Sequence, residues 1–281
     1  MHGGGRMNIL FTTNSGYLEH VFDCIQSIVR FVSQDGYDFY ILHSDVSKEE
    51  QNRWIRTISE SNVRFHFIYV DPSELKDFPE SERYPLLIYY RIFAAELLPD
   101  TLDRILYLDG DTLVINALDT LYNMDFNGNF YMACTHVRKF LNIVNQIRLG
   151  VDEEMPYINS GVMLMNLKLL RKVQNKEEII SFVNKNKNRL TLPDQDVISA
   201  LYRNKIQLTD TFKYNLSDRM IEFHNAQIGV EKIDIDWVRK NTVVVHYYGK
   251  QKPWKKPYIG QLNVFYDEIK GELHAHSNHS K

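Results

Sequence analysis

The sequence predicts an α/β fold, built on a single mostly parallel sheet with helices on both faces and a short C-terminal tail. Two observations lead there. Short apolar runs alternate with stretches of helical period from residue 8 onward, the pattern of strand–helix–strand units. One of those runs, Arg104 to Leu108, ends in Asp109-Gly110-Asp111, two carboxylates at a strand's carboxyl end, where open α/β sheets bind ligands.

Taken in order, Asn8 to Thr13 is a buried strand that runs into the turn Asn14-Ser15-Gly16-Tyr17. Leu18, Val21, Phe22, Ile25, Ile28, Val29 and Val32 then mark one face of a helix. Asp38 to His43 is the second strand. Ser47 with Glu50 forms a capping box that opens a helix through about Ser61, and Val63 to Val70 is the third strand. Three strands joined by helices imply right-handed crossovers and a parallel sheet. A helix over Leu87 to Leu98 carries Arg91, and Pro99 ends it before the Asp109 strand. Leu113 to Ile115 is a small strand, Leu118 to Tyr122 a turn or short helix, and Phe130 to Cys134 a strand. His136 to Pro156 is mixed, with a helical stretch near Phe140 to Leu149, and suits a loop over the site. Tyr157 to Gly161 leads into the strand Val162 to Leu167. Helices follow over Lys168 to Val173 and Lys176 to Asn186. A further helix opens at Leu192-Pro193-Asp194-Gln195-Asp196, with Asp194 expected at its N-cap. Val243 to Val245 is the last core strand and runs into His246.

Residues 1–6, with the run Gly3-Gly4-Gly5, read as a leader outside the fold. Residues 7–257 read as one domain, and 258–281 as a short helix with a polar tail that holds His274, His276 and His279. A hydrophobic share of 44% supports one sizeable core in 281 residues. With Lys+Arg 33 against Asp+Glu 36, no overall positive field exists to hold nucleic acid. Cys24 and Cys134 lie inside apolar runs and read as buried thiols, which suits a reducing compartment. No signal-like segment or membrane-length apolar run is present, so a cytoplasmic protein is expected. The basic and aromatic segment 237–258 reads as a solvated face, or as a peripheral contact with the inner face of a membrane. Asn215-Leu216-Ser217 matches a glycosylation acceptor and is discounted for want of a signal peptide.

No G-x-G-x-x-G follows the first strand and no Walker-type loop occurs, so dinucleotide and P-loop readings lack their phosphate cradle. The chemistry lies elsewhere. Asp109 and Asp111 side by side would repel each other unless a cation sits between them, and Gly110 leaves room for a phosphate. His246, Gly249, Lys250 and Lys252 after the last strand offer a third metal ligand and cations for phosphate oxygens. Two carboxylates with one imidazole suit Mn²⁺ at least as well as Mg²⁺.

Phe11 to Tyr17, Leu108 to Asp111, Asn159-Ser160-Gly161, Asp194-Gln195-Asp196 and the stretch His246 to Trp254 occur in the order seen in glycosyltransferase family 8. The chain resembles that family over residues 7–257, most closely its bacterial lipopolysaccharide branch. The resemblance implies a GT-A fold and a retaining transferase that uses Mn²⁺ and a UDP-sugar, so that 7–257 is a nucleotide-sugar-binding catalytic domain. Its acceptor would be a hydroxyl of a bacterial surface glycan, with glucose or galactose as the sugar moved.

By the same resemblance Asp109, Asp111 and His246 would ligate the metal, with Gly110 between the carboxylates, while Gly249 and Lys252 would hold the diphosphate. Thr12, Asn14 and Tyr17 would line the uridine pocket. Arg91, Asn159, Asp194 and Gln195 would contact the donor sugar, the last two as catalytic residues. Many relatives carry an acidic residue where this chain has Asn14, which bears on strict UDP preference. Retention is open between double displacement, with Asp194 as nucleophile, and a front-face route in which the diphosphate helps deprotonate the acceptor. A sugar nucleotidyltransferase and a non-catalytic nucleotide-sugar-binding protein are the alternatives.

Overall fold

The computed structural model describes residues 5–31, 35–58, 62–76, 78–80, 85–136, 139–151 and 154–279, without the side chains of 139, 140 and 272–279. The strands are β1 (Met7–Thr12), β2 (Tyr37–His43), β3 (Val63–Tyr69), β4 (Arg104–Leu108), β5 (Thr112–Val114), β6 (Tyr131–Cys134), β7 (Asn159–Asn166), β8 (Ile206–Leu208) and β9 (Val244–His246). The first helices are α1 (Leu18–Val29), α2 (Lys48–Thr57), α3 (Ala94–Leu97), α4 (Asp119–Tyr122), α5 (Lys139–Leu149) and α6 (Leu167–Val173). The later ones are α7 (Lys176–Asn186), α8 (Pro193–Leu201), α9 (Thr211–Tyr214), α10 (Asp218–Asn225), α11 (Ile235–Asn241) and α12 (Asn263–His279).

Among the described residues the central sheet has the order β3-β2-β1-β4-β7-β6-β8. The pairs β3/β2, β2/β1, β1/β4 and β6/β8 are parallel, and β7 runs antiparallel to β4 and β6. The sheet is thus mostly parallel. Its strands send alternate residues to opposite faces. Ile9, Phe11, Leu106 and Leu108 join α1 and Trp54 of α2 on one side. Leu10, Ile105, Tyr107 and Met163 join α6, α7 and α8 on the other.

Several expectations shift. Val243 to Val245 does not extend the core sheet: β9 pairs antiparallel with β5 in a separate two-stranded ribbon. The ribbon has its own core, where Leu113, Val245 and Tyr247 meet Ile221, Val238, Leu262, Phe265 and Ile269. The helix expected over Leu87 to Leu98 is a 3₁₀ turn over Leu86–Tyr89 and then only α3. Residues 89 to 95 are all buried, and a continuous helix cannot face one core with every successive side chain. The C-terminal helix is long rather than short and docks through Phe265, Tyr266 and Ile269. Arg6 joins its guanidinium to Asp38 and to the carbonyls of Asp35, Tyr37 and Asn62 at the start of the sheet. Val32, Ser61 and parts of the 136–156 stretch, residues 137–138 and 152–153, lie outside the described residues.

Cys24 and Cys134 are buried and free, and burial pushes both thiols up to about 12. No described helix is long and apolar enough to cross a membrane.

Candidate active site

Asp109 follows β4 at the sheet's carboxyl edge, and its backbone N–H donates to Gly161 O at 2.8 Å, which continues the pairing with β7. Asp111 leads into β5. Across the ribbon Thr112 is in register with His246, and Tyr247 N–H donates to the Asp111 carbonyl at 2.9 Å. The two-stranded ribbon is therefore what carries His246 to Asp111. His246 Nε2 lies 3.2 Å from Asp111 Oδ1 and 3.8 Å from Asp109 Oδ2. One ligand atom from each of the three residues falls within 4.8 Å of the others. An ion bound at roughly 2.0 to 2.4 Å from each would draw such a set only slightly inward, and oxygen with imidazole donors suits a divalent cation such as Mn²⁺. Gly161 makes the approach possible: a Cβ there would stand 2.3 Å from His246 Cε1 and 2.6 Å from Asp109 Oδ2.

Two flanks surround this centre. On the sheet side, the buried Arg91 lies 2.9 Å from Asp109 Oδ1 and 3.2 Å from Asp194 Oδ2, with its guanidinium 4.5 Å from the centroid of the Tyr107 ring. Tyr107 donates to Asp109 Oδ1 at 2.7 Å. Asp194 is not the N-cap of α8, whose cap position is Leu192. Asp194 lies inside the first turn of α8, and its Oδ2 accepts from Ser160 Oγ at 2.8 Å, while Asp196 Oδ2 accepts from the Thr191 and Leu192 amides ahead of the helix. Burial raises the Asp194 carboxyl above its ordinary range despite Arg91. Gln195 Oε1 accepts from Ser160 N at 3.3 Å.

On the ribbon side, Lys252 donates to Asp111 Oδ2 and, at 2.9 Å, to the Tyr247 carbonyl. Burial alone would push the Asp111 carboxyl up, but His246 and Lys252 outweigh it and hold it well below the usual carboxylate range. Gly249 has φ +96°, in the left-handed region that favours glycine, within the loop that carries Lys252.

The uridine-pocket candidates divide. Tyr17 covers Gly110, where a Cβ would come 3.2 Å from the ring and 2.9 Å from Val21 Cγ2, so that glycine admits α1 rather than a phosphate. The Tyr17 ring meets Trp254 edge-on at 5.8 Å, and Trp254 stacks on His20 at 3.7 Å. Thr12 is buried, with its hydroxyl 3.1 Å from Tyr107 OH. Asn14 makes no capping hydrogen bond to the turn that follows it.

In the 237–258 segment the apolar and aromatic side chains pack inward while most of the basic ones stay at the surface. Arg239 pairs with Glu268, Lys256 with Asp267, and Tyr247 and Tyr258 donate to Leu262 O and Asp218. Arg239, Lys240, Lys250, Lys255 and Lys256 are all exposed, and only Lys252 of the basic residues is partly buried.

Comparisons with known proteins bear on this arrangement. The sequence model of glycosyl transferase family 8 matches residues 8–257. The chain belongs to glycosyltransferase family 8. A putative glycosyltransferase of Haemophilus influenzae is 25% identical over 89% of this chain and 73% of its own length. A lipopolysaccharide 1,2-glucosyltransferase of Escherichia coli K12 is 27% identical with the same coverage. Two solved structures of LgtC, an active-site mutant and the galactosyltransferase in complex with donor and acceptor sugar analogs, superpose with TM-scores of 0.80 and 0.79. They are 24% identical and cover 95% of this chain and 96% of theirs, so the family 8 chain has the GT-A fold.

One residue went unread in the sequence. Asn215, fully buried, accepts from His246 Nδ1 at 2.8 Å and donates to Asn159 Oδ1 at 3.0 Å. Its only local signal was a glycosylation-like triplet, and nothing in that triplet points to His246.

Proposed function

We propose that this family 8 chain is a metal-dependent, retaining hexosyltransferase. It moves glucose or galactose from a UDP-sugar to a hydroxyl of a bacterial surface glycan such as lipopolysaccharide. The observation that carries the reading is the convergence of Asp109, Asp111 and His246 within 4.8 Å at the edge of a GT-A sheet. The activities of relatives support the substrate class: the E. coli protein is a lipopolysaccharide glucosyltransferase, and a Salmonella typhimurium relative, 23% identical, is a lipopolysaccharide 1,3-galactosyltransferase.

Asp109, Asp111 and His246 would hold a divalent cation, which supplies charge stabilisation to the departing diphosphate. The protein's own groups do the remaining work. Arg91 holds Asp109 and Asp194 in fixed positions from a buried site, so both face the donor pre-oriented. Lys252, beside Asp111 on a loop with a left-handed glycine, would supply a cation to the leaving oxygens. Tyr17 would stack on uracil, with Thr12 and Asn14 beside it. Asn159 and Gln195 would hydrogen-bond the sugar. Asp194 Oδ2 is engaged by Ser160 Oγ and Arg91, which speaks against attack by that oxygen and supports the front-face route.

The test uses metal-free protein, Mn²⁺ and a panel of nucleotide sugars, with thermal shift and UDP release as readouts. Stabilisation by UDP-glucose or UDP-galactose that needs Mn²⁺ and vanishes in Asp111→Ala is expected. If no UDP-sugar binds, the donor assignment falls. Release of pyrophosphate from a nucleoside triphosphate and a sugar phosphate would make the protein a nucleotidyltransferase.

A further inference from the structure

We infer that Asn215 is a positioning residue that fixes which nitrogen of His246 faces the carboxylates and ties that choice to Asn159; the inference rests on the metal-site reading above. The direction of each hydrogen bond follows from a donor that has no choice. The Gly161 backbone N–H can only donate, and it points at Asn159 Oδ1 at 3.1 Å. That atom is therefore the amide oxygen, an acceptor. Asn215 presents to it, at 3.0 Å, the end that must be its NH₂ group. The other end of the same amide, Oδ1, then faces His246 Nδ1 at 2.8 Å and accepts. His246 therefore carries a proton on Nδ1, and Nε2 is the nitrogen turned toward Asp111 Oδ1 and Asp109 Oδ2, where it would meet a bound ion.

The backbone holds Asn215 in this place. Its N–H donates to Thr211 O at the end of α9. Leu216, the next residue, donates to Val244 O and accepts from His246 N, a short parallel bridge along the outer side of β9. The Asn215 carbonyl accepts from His136 Nε2 at 2.9 Å. With the residue fully buried, no water replaces a lost partner cheaply. A metal-bound imidazole needs its other nitrogen held, and loss of such a partner weakens metal affinity by about 10- to 100-fold. Because one amide serves both His246 and Asn159, a change that releases the histidine also leaves Asn159, the residue assigned to the donor sugar, with only its Gly161 N–H bond of the two.

Two variants separate these effects. Asn215→Ala removes both bonds. Asn215→Asp keeps an acceptor for His246 Nδ1 but sets an oxygen against Asn159 Oδ1. Mn²⁺ binding without nucleotide is measured by calorimetry on folded, metal-free protein, and the His246 tautomer by long-range ¹H–¹⁵N NMR near pH 8. The parent should show His246 protonated on Nδ1. Asn215→Ala should bind Mn²⁺ about 10- to 100-fold more weakly. Asn215→Asp should restore Mn²⁺ binding to within about threefold of the parent, while UDP-sugar affinity stays reduced.

A parent His246 with no proton on Nδ1, or Mn²⁺ binding by Asn215→Ala as tight as the parent's, overturns the inference. Should Asn215→Ala fail to fold, the parent's tautomer and the Asn215→Asp affinities decide it. A parent that binds no Mn²⁺ but shows the Nδ1 tautomer sinks the metal-site reading and leaves the positioning of His246 standing.

Discussion

The two flanks of the site carry opposite charge balances. On the sheet side one guanidinium, Arg91, serves two carboxylates, Asp109 and Asp194, and the buried Asp194 carboxyl is pushed up. On the ribbon side one carboxylate, Asp111, meets His246 and Lys252, and it is held down. Burial opposes the charged form of both aspartates, so the sign of each shift is decided by whether nearby cations outweigh it. Under the proposed function the sheet flank would present negative charge to an electron-poor sugar, and the ribbon flank positive charge near the leaving phosphates. A centre that must separate charge during bond cleavage gains from that asymmetry.

Asp109 is the residue both flanks share, so its loss should give the largest effect. In Asp109→Ala we expect transfer to fall by about 10⁴-fold in kcat/KM, roughly 5 kcal/mol of transition-state stabilisation. The check is a coupled UDP-release assay at saturating Mn²⁺. Activity within tenfold of the parent would show that the flanks work independently. Next comes the sheet flank alone. Arg91→Met leaves two carboxylates beside each other without their cation and should cost about 3–5 kcal/mol of stability, read from urea unfolding. The metal site should still bind Mn²⁺, since the ribbon flank is intact. A smaller effect is expected where the flanks meet. Gly161→Ala places a methyl against His246 and Asp109, and overpacking of this kind costs about 1–3 kcal/mol, with weakened Mn²⁺ binding. Unchanged Mn²⁺ affinity would mean that His246 can retreat without loss.

The same division marks how far the sequence could be read. The units from β1 to β3 are legible because α1 shows a continuous apolar stripe, as at Leu18, Phe22 and Ile25, α2 opens with the Ser47–Glu50 capping box, and their strands are five residues or longer. β5 and β9 are three residues each, too short to reveal a period, and their pairing joins positions far apart in the chain. Asp109, Asp111 and His246 were found as residues because strand ends mark them, while their meeting depended on that ribbon. Arg91 was found inside a helix that does not form. Asp194 was taken for a cap because an aspartate at a helix start usually is one. The helix begins earlier, at Pro193, which puts Asp194 inside it and leaves its carboxylate to Arg91 and Ser160. Asn215 acts through two side chains that only tertiary structure brings to it.

The finest test of the comparison is Asp194→Asn. A carboxyl whose folded pKa lies above its unfolded value, about 3.9, contributes stability only while protonated in the fold. That contribution is full below the unfolded pKa and is lost as pH rises through the folded one, so at neutral pH the charged Asp194 is a burden on the native state. An asparagine still accepts from Ser160 Oγ and carries no charge to bury, and Arg91 keeps Asp109. The variant's Tm should therefore exceed the parent's at pH 8, and the gap should close as pH falls toward 4, in thermal melts of metal-free protein across that range. Activity should drop while stability rises, as expected where a charge is held against its solvation preference for the sake of the reaction. A gap that stays constant with pH would show that Arg91 neutralises Asp194 fully, and the two flanks would then differ in geometry but not in charge.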